Sequence, residues 1–428
     1  MKWSAHKSFT DKQTGFLGAI DITLAQRSQL LTYRKEIRAA IRDTFDLLRK
    51  SFFNLNGRLT FERSHIAQKF KGQQDMLDEL ADLLEKIEQL PIVYKKELSN
   101  LKPRFWTQGS FRYETLNSPA WLPPQQIDLD DGVYLPLDFL QQKPIIGKKI
   151  FISLIDLTLQ MMCKQKSEWK FKVKDTCARV LIGNDQHIDV PMYAIPKDQY
   201  LQKEEAFDSY SFAALSTNSL RLIESKGSKL LIDDAVYLAV RNSEHWRKSD
   251  PADVNEWFLQ AVQDNGEVLR RVSRYLKSWR DFIFDTGGPS SITLMKCAVD
   301  TFDASSSLPF CIDDSKALRE CCIALPEQLK LGVDSPDDLD EDKLFPNQHM
   351  TLQEKQDIID KAIEFKIIVL KALDASQSKS ECKNLLASVF GHRFSACESF
   401  IIPIAATIVR STPAKVQPEP KSTNMKSG

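Results

Sequence analysis

Ile127-Asp128-Leu129-Asp130-Asp131-Gly132-Val133-Tyr134, with the pair Gly109-Ser110 ahead of it, is the stretch on which the reading of this 428-residue chain turns. Apolar and acidic residues alternate, the period-two pattern of a strand with one buried face. Asp128 and Asp130 therefore share a face, roughly 6–7 Å apart at about 3.3 Å per residue, while Ile127 and Leu129 turn into the core. Two carboxylates at that separation on a rigid element can grip hard cations. Mg²⁺ prefers oxygen ligands and reaches proteins through one or two carboxylates plus substrate phosphates. Read alone, the spacing fits a solvated acidic edge strand at least as well, and Asp131-Gly132 is also an ordinary turn pair. The surroundings decide.

The length is too great for one small core and predicts two or three lobes. With 42% hydrophobic and 27% charged residues, the composition is that of a soluble globular protein. Its 58 basic residues balance 58 acidic ones, whereas a chain that coats nucleic acid is usually basic overall. The eight cysteines form no CxxC pair and the six histidines show no ligand spacing with them, which argues against zinc and for buried thiols in a reducing cytosol. Met1-Lys2-Trp3-Ser4 opens no apolar signal core, and no run of 18 apolar residues exists. The expectation is a cytoplasmic protein without a membrane partner.

In chain order, residues 1–20 are mixed and are expected to wrap the surface. Residues 22–52 turn helical, with Ile37, Ile41, Phe45 and Leu48 as the buried stripe. Arg34, Arg38 and Arg42 form a second stripe, readable as a solvated basic face or as an anion site. A second amphipathic helix over 74–100 carries Leu77, Leu80, Leu83, Leu84, Ile87 and Leu90, with Pro91 near its end. The three prolines of 118–125 exclude regular structure there. A helix over 148–164 and a strand over 169–182 follow. The turn Gly183-Asn184-Asp185 then makes a hairpin that places Asp189 on a strand beside the acidic one. From Val254 onward the chain reads as helices. One carries Val268, Val272, Tyr275, Leu276 and Trp279, and another, over 292–302, has Ser290 and Ser291 as N-cap candidates. Others lie near 315–330, 351–373 and 377–390, with an acidic loop at 334–342. The Pro-, Ser- and Lys-rich end, 411–428, is expected to be disordered.

A Gly-Ser turn, an Asp-x-Asp strand and a third Asp on a later hairpin strand form an arrangement that resembles the polymerase-β-like nucleotidyltransferases. The physics is coherent. Backbone N–H groups of a glycine turn can approach a triphosphate closely, and the Ser110 hydroxyl can donate to the terminal phosphates. Two ions about 3.5–4 Å apart then clamp the attacking and leaving oxygens of an in-line displacement.

The resemblance is closer than that. Pro103-Arg104-Phe105-Trp106-Thr107-Gln108-Gly109-Ser110-Phe111, Thr115-Leu116-Asn117, Asp128-Leu129-Asp130-Asp131-Gly132, His187-Ile188-Asp189-Val190-Pro191-Met192-Tyr193-Ala194-Ile195-Pro196 and Gly287-Gly288-Pro289-Ser290-Ser291 resemble the DncV-type cyclic GMP-AMP synthases, cGAS/DncV-like nucleotidyltransferases of bacterial CBASS anti-phage defence. The similarity runs from Trp3 into the tail and is weakest near 50–75, 205–235 and 303–320. It implies Asp128, Asp130 and Asp189 as catalytic ligands of two Mg²⁺ ions, with Mn²⁺ as a substitute. It implies that Gln108, Gly109, Ser110, Phe111, Arg112 and Tyr113 line the donor triphosphate, that Arg179 faces a nucleotide, and that Ser249, Lys277, Ser291 and Asp340 contact bases and phosphates. The segment after Asn117 departs from the family pattern by an extra proline-tryptophan stretch. The zinc insertion of the animal enzyme is absent, so DNA sensing through it is not expected, and no template nucleic acid is expected as a partner. Gly428 reads either as a terminus for an E1/E2-like conjugation enzyme or as a ragged end. The Arg34, Arg38 and Arg42 stripe lies where a folate-type polyglutamate effector could act.

The expected architecture is α+β: a nucleotidyltransferase lobe with a mixed sheet over 1–245, a helical lobe over 246–410, an active site in the cleft between them, and the tail 411–428. The implied reaction joins ATP and GTP into 3′,3′-cyclic GMP-AMP, a second messenger of anti-phage defence in the bacterial cytoplasm. Alternatives are another cyclic dinucleotide, linear oligoadenylate or a template-independent polymerase, which would need a basic channel that the balanced charge does little to suggest. A catalytically dead scaffold would be expected to lack one of the acids, and all three are present.

Overall fold

The computed structural model describes residues 2–56, 58–136, 144–195, 236–243, 245–249, 251–336, 343–395 and 397–404. Asp340, most of the acidic loop, Gly428 and the tail 411–428 lie outside them. Numbered along the chain, the strands are β1 Trp3–Ser4, β2 Phe52–Leu55, β3 Arg58–Phe61, β4 Arg104–Gln108, β5 Ile127–Pro136, β6 Trp169–Val173, β7 Cys177–Ile182, β8 Gln186–Ile195, β9 Tyr237–Ala239, β10 Trp246–Lys248 and β11 Ile402–Pro403.

Strands β4 to β10 form one mixed sheet, as expected of the α+β class. β5 runs parallel to β8, and the remaining pairings are antiparallel. β8 has β5 along one side, and β7 followed by β9 along the other. Ile127 and Leu129 are fully buried below the sheet. They join Ile37, Ile41, Phe45 and Leu48 of the helix Leu24–Lys50, and Leu154 and Ile155 of the helix Pro144–Lys164. The first of these helices starts at a capping box: Gln26 N donates to Thr23 Oγ1 at 3.1 Å, and Thr23 N donates to Gln26 Oε1 at 2.9 Å.

Three expectations are corrected. The helix expected from 148 begins at Pro144. The alternating run 169–182 is two strands, β6 and β7, paired with each other. Residues 1–20 do not wrap the surface. Trp3, Phe9, Phe16 and Ile20 are core residues of the helical cluster, the Phe9 ring lies 4.8 Å from Tyr275, and Phe16 lies 4.7 Å from Phe390. β1 pairs with β11, and Trp3 Nε1 donates to the Ser376 carbonyl at 3.0 Å.

The helical part is built around Glu267–Ile283, whose Trp279 stacks on Phe365 at 4.7 Å. Ser290 caps the helix Ser291–Asp303, accepting from Thr293 N at 3.1 Å. The irregular segment 115–125 ties the sheet to this part. Asn117 and Arg274 exchange two bonds of 2.9 Å, Gln125 donates to the carbonyls of Asp281 and Phe284, and Trp121 Nε1 donates to the Phe282 carbonyl. Among the described residues no helix is long and apolar enough to cross a membrane.

Candidate active site

Register brings the acids together. β5–β8 pairing sets Asp128 opposite His187 and Asp130 opposite Asp189. β4 adds Gln108 beside Asp130, and β7 adds Arg179 beside Asp189. The result is a row Gln108–Asp130–Asp189–Arg179 across four strands, with Asp128–His187 next to it on the same face.

The electrostatics are uneven. Arg179 holds both oxygens of Asp189, Nε to Oδ1 and Nη2 to Oδ2, each at 2.6 Å. Burial alone would push the Asp128 carboxyl up. The His187 imidazole against it, then the charges of Arg179 and Lys277, outweigh that and hold it below its ordinary value. Asp130 goes the other way: burial, then the charges of Asp128 and Asp189, push it well above its ordinary value. One strand thus carries two carboxylates with opposite needs.

Gly109 adopts φ +69°, and a Cβ there would run into Asp130 Oδ2. The Gly-Ser turn therefore lies directly against the carboxylate. A divalent ion fits this place on two observations. Asp130 is opposed by two neighbouring charges, and one ligand atom each from Asp128, His187 and Asp189 lies within 4.8 Å of the others. A largely carboxylate donor set suits a hard cation such as Mg²⁺.

The other expected residues are placed as follows. Gly109, Ser110 and Arg112 are partly exposed, whereas Phe111 and Tyr113 are buried. Tyr113 packs on Phe258, with its phenol pushed up by burial and by Asp130. The Gln108 amide is held between two stacked tyrosines, donating to Tyr193 Oη at 2.9 Å and accepting from Tyr134 Oη at 3.4 Å. Lys277 is buried, donates to the Thr115 carbonyl at 2.6 Å, and is pushed down to about 7 by burial and by the charge of Arg280. Ser291 Oγ accepts from Arg280 at 3.0 Å, and Ser249 N donates to the Val236 carbonyl at 3.0 Å.

The arginine stripe lies on the other side of β4 and β5 and is not a plain solvated face. Arg38 grips the buried Asp131 through Nε at 2.6 Å and Nη2 at 2.5 Å. Arg34 donates to Thr107 at 2.6 Å, and Arg42 lies over the Phe105 ring at 4.8 Å. Asp131 is therefore a strand residue, not part of a turn. Arg38→Ala strands a fully buried carboxylate and should destabilise the fold by roughly 3 kcal/mol. A melting temperature equal to that of the unaltered protein would refute this account of the pair.

Sequence reasoning assigned no role to His187. The available signal was its position two residues before Asp189, which puts both on one strand face. Its partner Gln126, whose Oε1 lies 3.1 Å from His187 Nδ1, carried no signal, because only the fold brings it to the ring.

Residues 103–193 match the family described as cyclic GMP-AMP synthase DncV-like, nucleotidyltransferase domain. Residues 266–403 match the cyclic GMP-AMP synthase C-terminal domain. The cyclic GMP-AMP synthase of Vibrio cholerae serotype O1 is 34% identical over 100% of both chains. That of Escherichia coli is 31% identical over 99% of both. The structure of Vibrio cholerae DncV cyclic AMP-GMP synthase in complex with the linear intermediate 5′ pppA(3′,5′)pG superposes with a TM-score of 0.77 at 31% identity, covering 94% of this chain and 99% of the other. DncV in complex with GTP and 5MTHFGLU2 superposes at 0.78 and 32%, with the same coverage.

Proposed function

The chain belongs to the DncV-like cyclic GMP-AMP synthase family of nucleotidyltransferases, and from that premise we propose that it condenses ATP and GTP into 3′,3′-cyclic GMP-AMP. The observation that carries this reading is the convergence of Asp128, Asp130 and Asp189 on one sheet face against the Gly109-Ser110 turn. In the first step the adenosine 3′-hydroxyl attacks the α-phosphorus of GTP, the new P–O bond forms, and pyrophosphate leaves. The linkage 5′ pppA(3′,5′)pG seen in the DncV relative supports that order. The linear dinucleotide then turns over, and the guanosine 3′-hydroxyl attacks the α-phosphorus of the adenosine end, releasing a second pyrophosphate.

Asp128, Asp130 and Asp189 would hold the divalent ions, which when bound help to deprotonate the 3′-hydroxyl and neutralise the departing pyrophosphate. The other roles fall to the protein's own groups. The Gly109 and Ser110 amides and the Ser110 hydroxyl position the donor phosphates. Arg179, released from Asp189, and the Lys277 ammonium balance phosphate charge. Ser249, Ser291 and Asp340 complete the nucleotide contacts. We place the lobe boundary near 245 and assign residues 1–20 to the helical lobe on their packing.

Burial, then the charges of Arg38 and Arg104, pull Arg42 down. That local positive charge, with Arg34 on the same helix, suits a folate-type polyglutamate as effector, a reading supported by the DncV complex with GTP and 5MTHFGLU2. Anti-phage signalling in the bacterial cytoplasm is proposed as the setting. The test is incubation of the protein with all four ribonucleoside triphosphates and Mg²⁺, followed by mass spectrometry and phosphatase treatment. A phosphatase-resistant cyclic GMP-AMP is expected. Linear oligoadenylate, or chains extended from a primer, would overturn the proposal.

A further inference from the structure

β9 and β10 form a short hairpin at the edge of the sheet, and it leads directly into Ser249. Among the described residues two register pairs, Tyr193–Leu238 and Ala194–Tyr237, tie this hairpin to β8. Its far end is held by two charged side chains of the helix Pro144–Lys164. Lys148, 3% exposed, donates from Nζ to the carbonyls of Val240 at 3.1 Å, His245 at 3.3 Å and Ser243. Asp156 lies on the same helix face, about 12 Å further along. It accepts both arms of Arg241, Nη1 to Oδ2 at 2.5 Å and Nη2 to Oδ1 at 2.8 Å. From these anchors the ladder passes through Ala239–Trp246, Leu238–Arg247 and Tyr237–Lys248. It ends where Ser249 N donates to the Val236 carbonyl at 3.0 Å. A shift at the clasp therefore reaches Ser249 along a paired ribbon, with no loop between to absorb it.

We infer that Lys148 is a positioning residue for the nucleotide: its ammonium gathers three carbonyls of one chain segment and so fixes where Ser249 stands. The inference rests on the proposed function, in which Ser249 contacts a nucleotide, and adds to it a residue that touches no substrate. The charge is essential to this role. Carbonyl oxygens only accept, and three of their dipoles aimed at one point repel each other. An ammonium reverses that repulsion, whereas an apolar side chain of the same length leaves it in place.

The test uses the full chain and equilibrium binding of a fluorescent, non-hydrolysable GTP analogue with Mg²⁺. Lys148→Ala should raise its dissociation constant about tenfold, the loss of one well-placed hydrogen bond. n-Propylammonium carries the three methylenes and the ammonium that the substitution deletes, and it should restore most of the lost affinity. 1-Propanol fills the same space without the charge and should not. Because Lys148 acts through Ser249, adding Lys148→Ala to Ser249→Ala should cost less than about twofold further. Unchanged binding in Lys148→Ala, equal restoration by 1-propanol, or a full further tenfold loss in the double variant would each overturn the assignment. Should Lys148→Ala fail to fold, Lys148→Met keeps the stem and loses the ammonium, and binding unchanged in it would overturn the assignment equally. A protein that gives these responses but makes no cyclic dinucleotide would support the assignment and overturn the proposed function alone. One that binds no triphosphate would overturn both.

Discussion

Asp130→Asn is expected to lower cyclic dinucleotide synthesis by about 10³-fold or more, because the ions lose a ligand that no neighbour replaces, and yet to raise the melting temperature of the metal-free protein. Both outcomes follow from one placement. Asp130 is pushed well above its ordinary value of 3.8 by burial and by the charges of Asp128 and Asp189. A carboxyl whose folded pKa exceeds its unfolded one binds more protons in the folded state. Stability therefore falls as pH climbs from the unfolded value through the folded one. At neutral pH the ionised Asp130 works against the fold, and the neutral amide does not. The gain should be about 2–5 °C near pH 7.5, vanish below about pH 3 where both states are protonated, and shrink when Mg²⁺ neutralises the carboxylates. Asp128 has the opposite sign: its lowered value contributes stability above its unfolded pKa, and that contribution is lost as pH falls. Thermal melting across pH with and without Mg²⁺, paired with a pyrophosphate-release assay, checks all of this. A variant that melts below the unaltered protein at neutral pH, or that still makes product, would show that the three carboxylates do not converge as described.

The parts legible in the sequence are those where one period runs long enough to be read. Period two over 127–134 gave the strand, its buried face and the shared face of Asp128 and Asp130. The stripes Ile37, Ile41, Phe45, Leu48 and Val268, Val272, Tyr275, Leu276, Trp279 gave two helices whose buried sides agree with the structure. The illegible parts depend on contacts remote in sequence. Residues 1–20 hold only brief helical turns, His6–Thr10 and Phe16–Ala19, too short to show periodicity, so their burial against Tyr275 and Phe390 left no trace. The β6–β7 turn through Lys174-Asp175-Thr176 has no glycine or proline, and alternation reads straight across it. Asp131 looked like half of a turn because its partner Arg38 is 93 residues away. Nothing local announces the tyrosine pair that holds the Gln108 amide, because Tyr134 and Tyr193 reach it only through the sheet.

Gly109→Ala is the smallest change expected to disable the site. Two physical terms act at this position and can be separated. The first is backbone strain: φ is +69°, a conformation that costs an L-residue roughly 1–2 kcal/mol. The second is the collision of the new Cβ with Asp130 Oδ2, which must displace either the carboxylate or the Ser110 turn. Displacement by about 1 Å between a catalytic group and its substrate can cost about 10²-fold in rate. Gly72 supplies the control, since its φ is +88° and a Cβ there meets nothing within 4 Å. Gly72→Ala should therefore lose comparable stability with synthesis intact, whereas Gly109→Ala should lose that stability and about 10²-fold in kcat or more. Divalent-ion affinity divides the two routes of displacement. Weaker Mn²⁺ binding in Gly109→Ala means that the carboxylate has moved, and unchanged binding with a raised KM for triphosphate means that the turn has moved. Turnover equal in the two variants would mean that the glycine is retained for its backbone alone, and that the phosphate turn and Asp130 do not act as one unit.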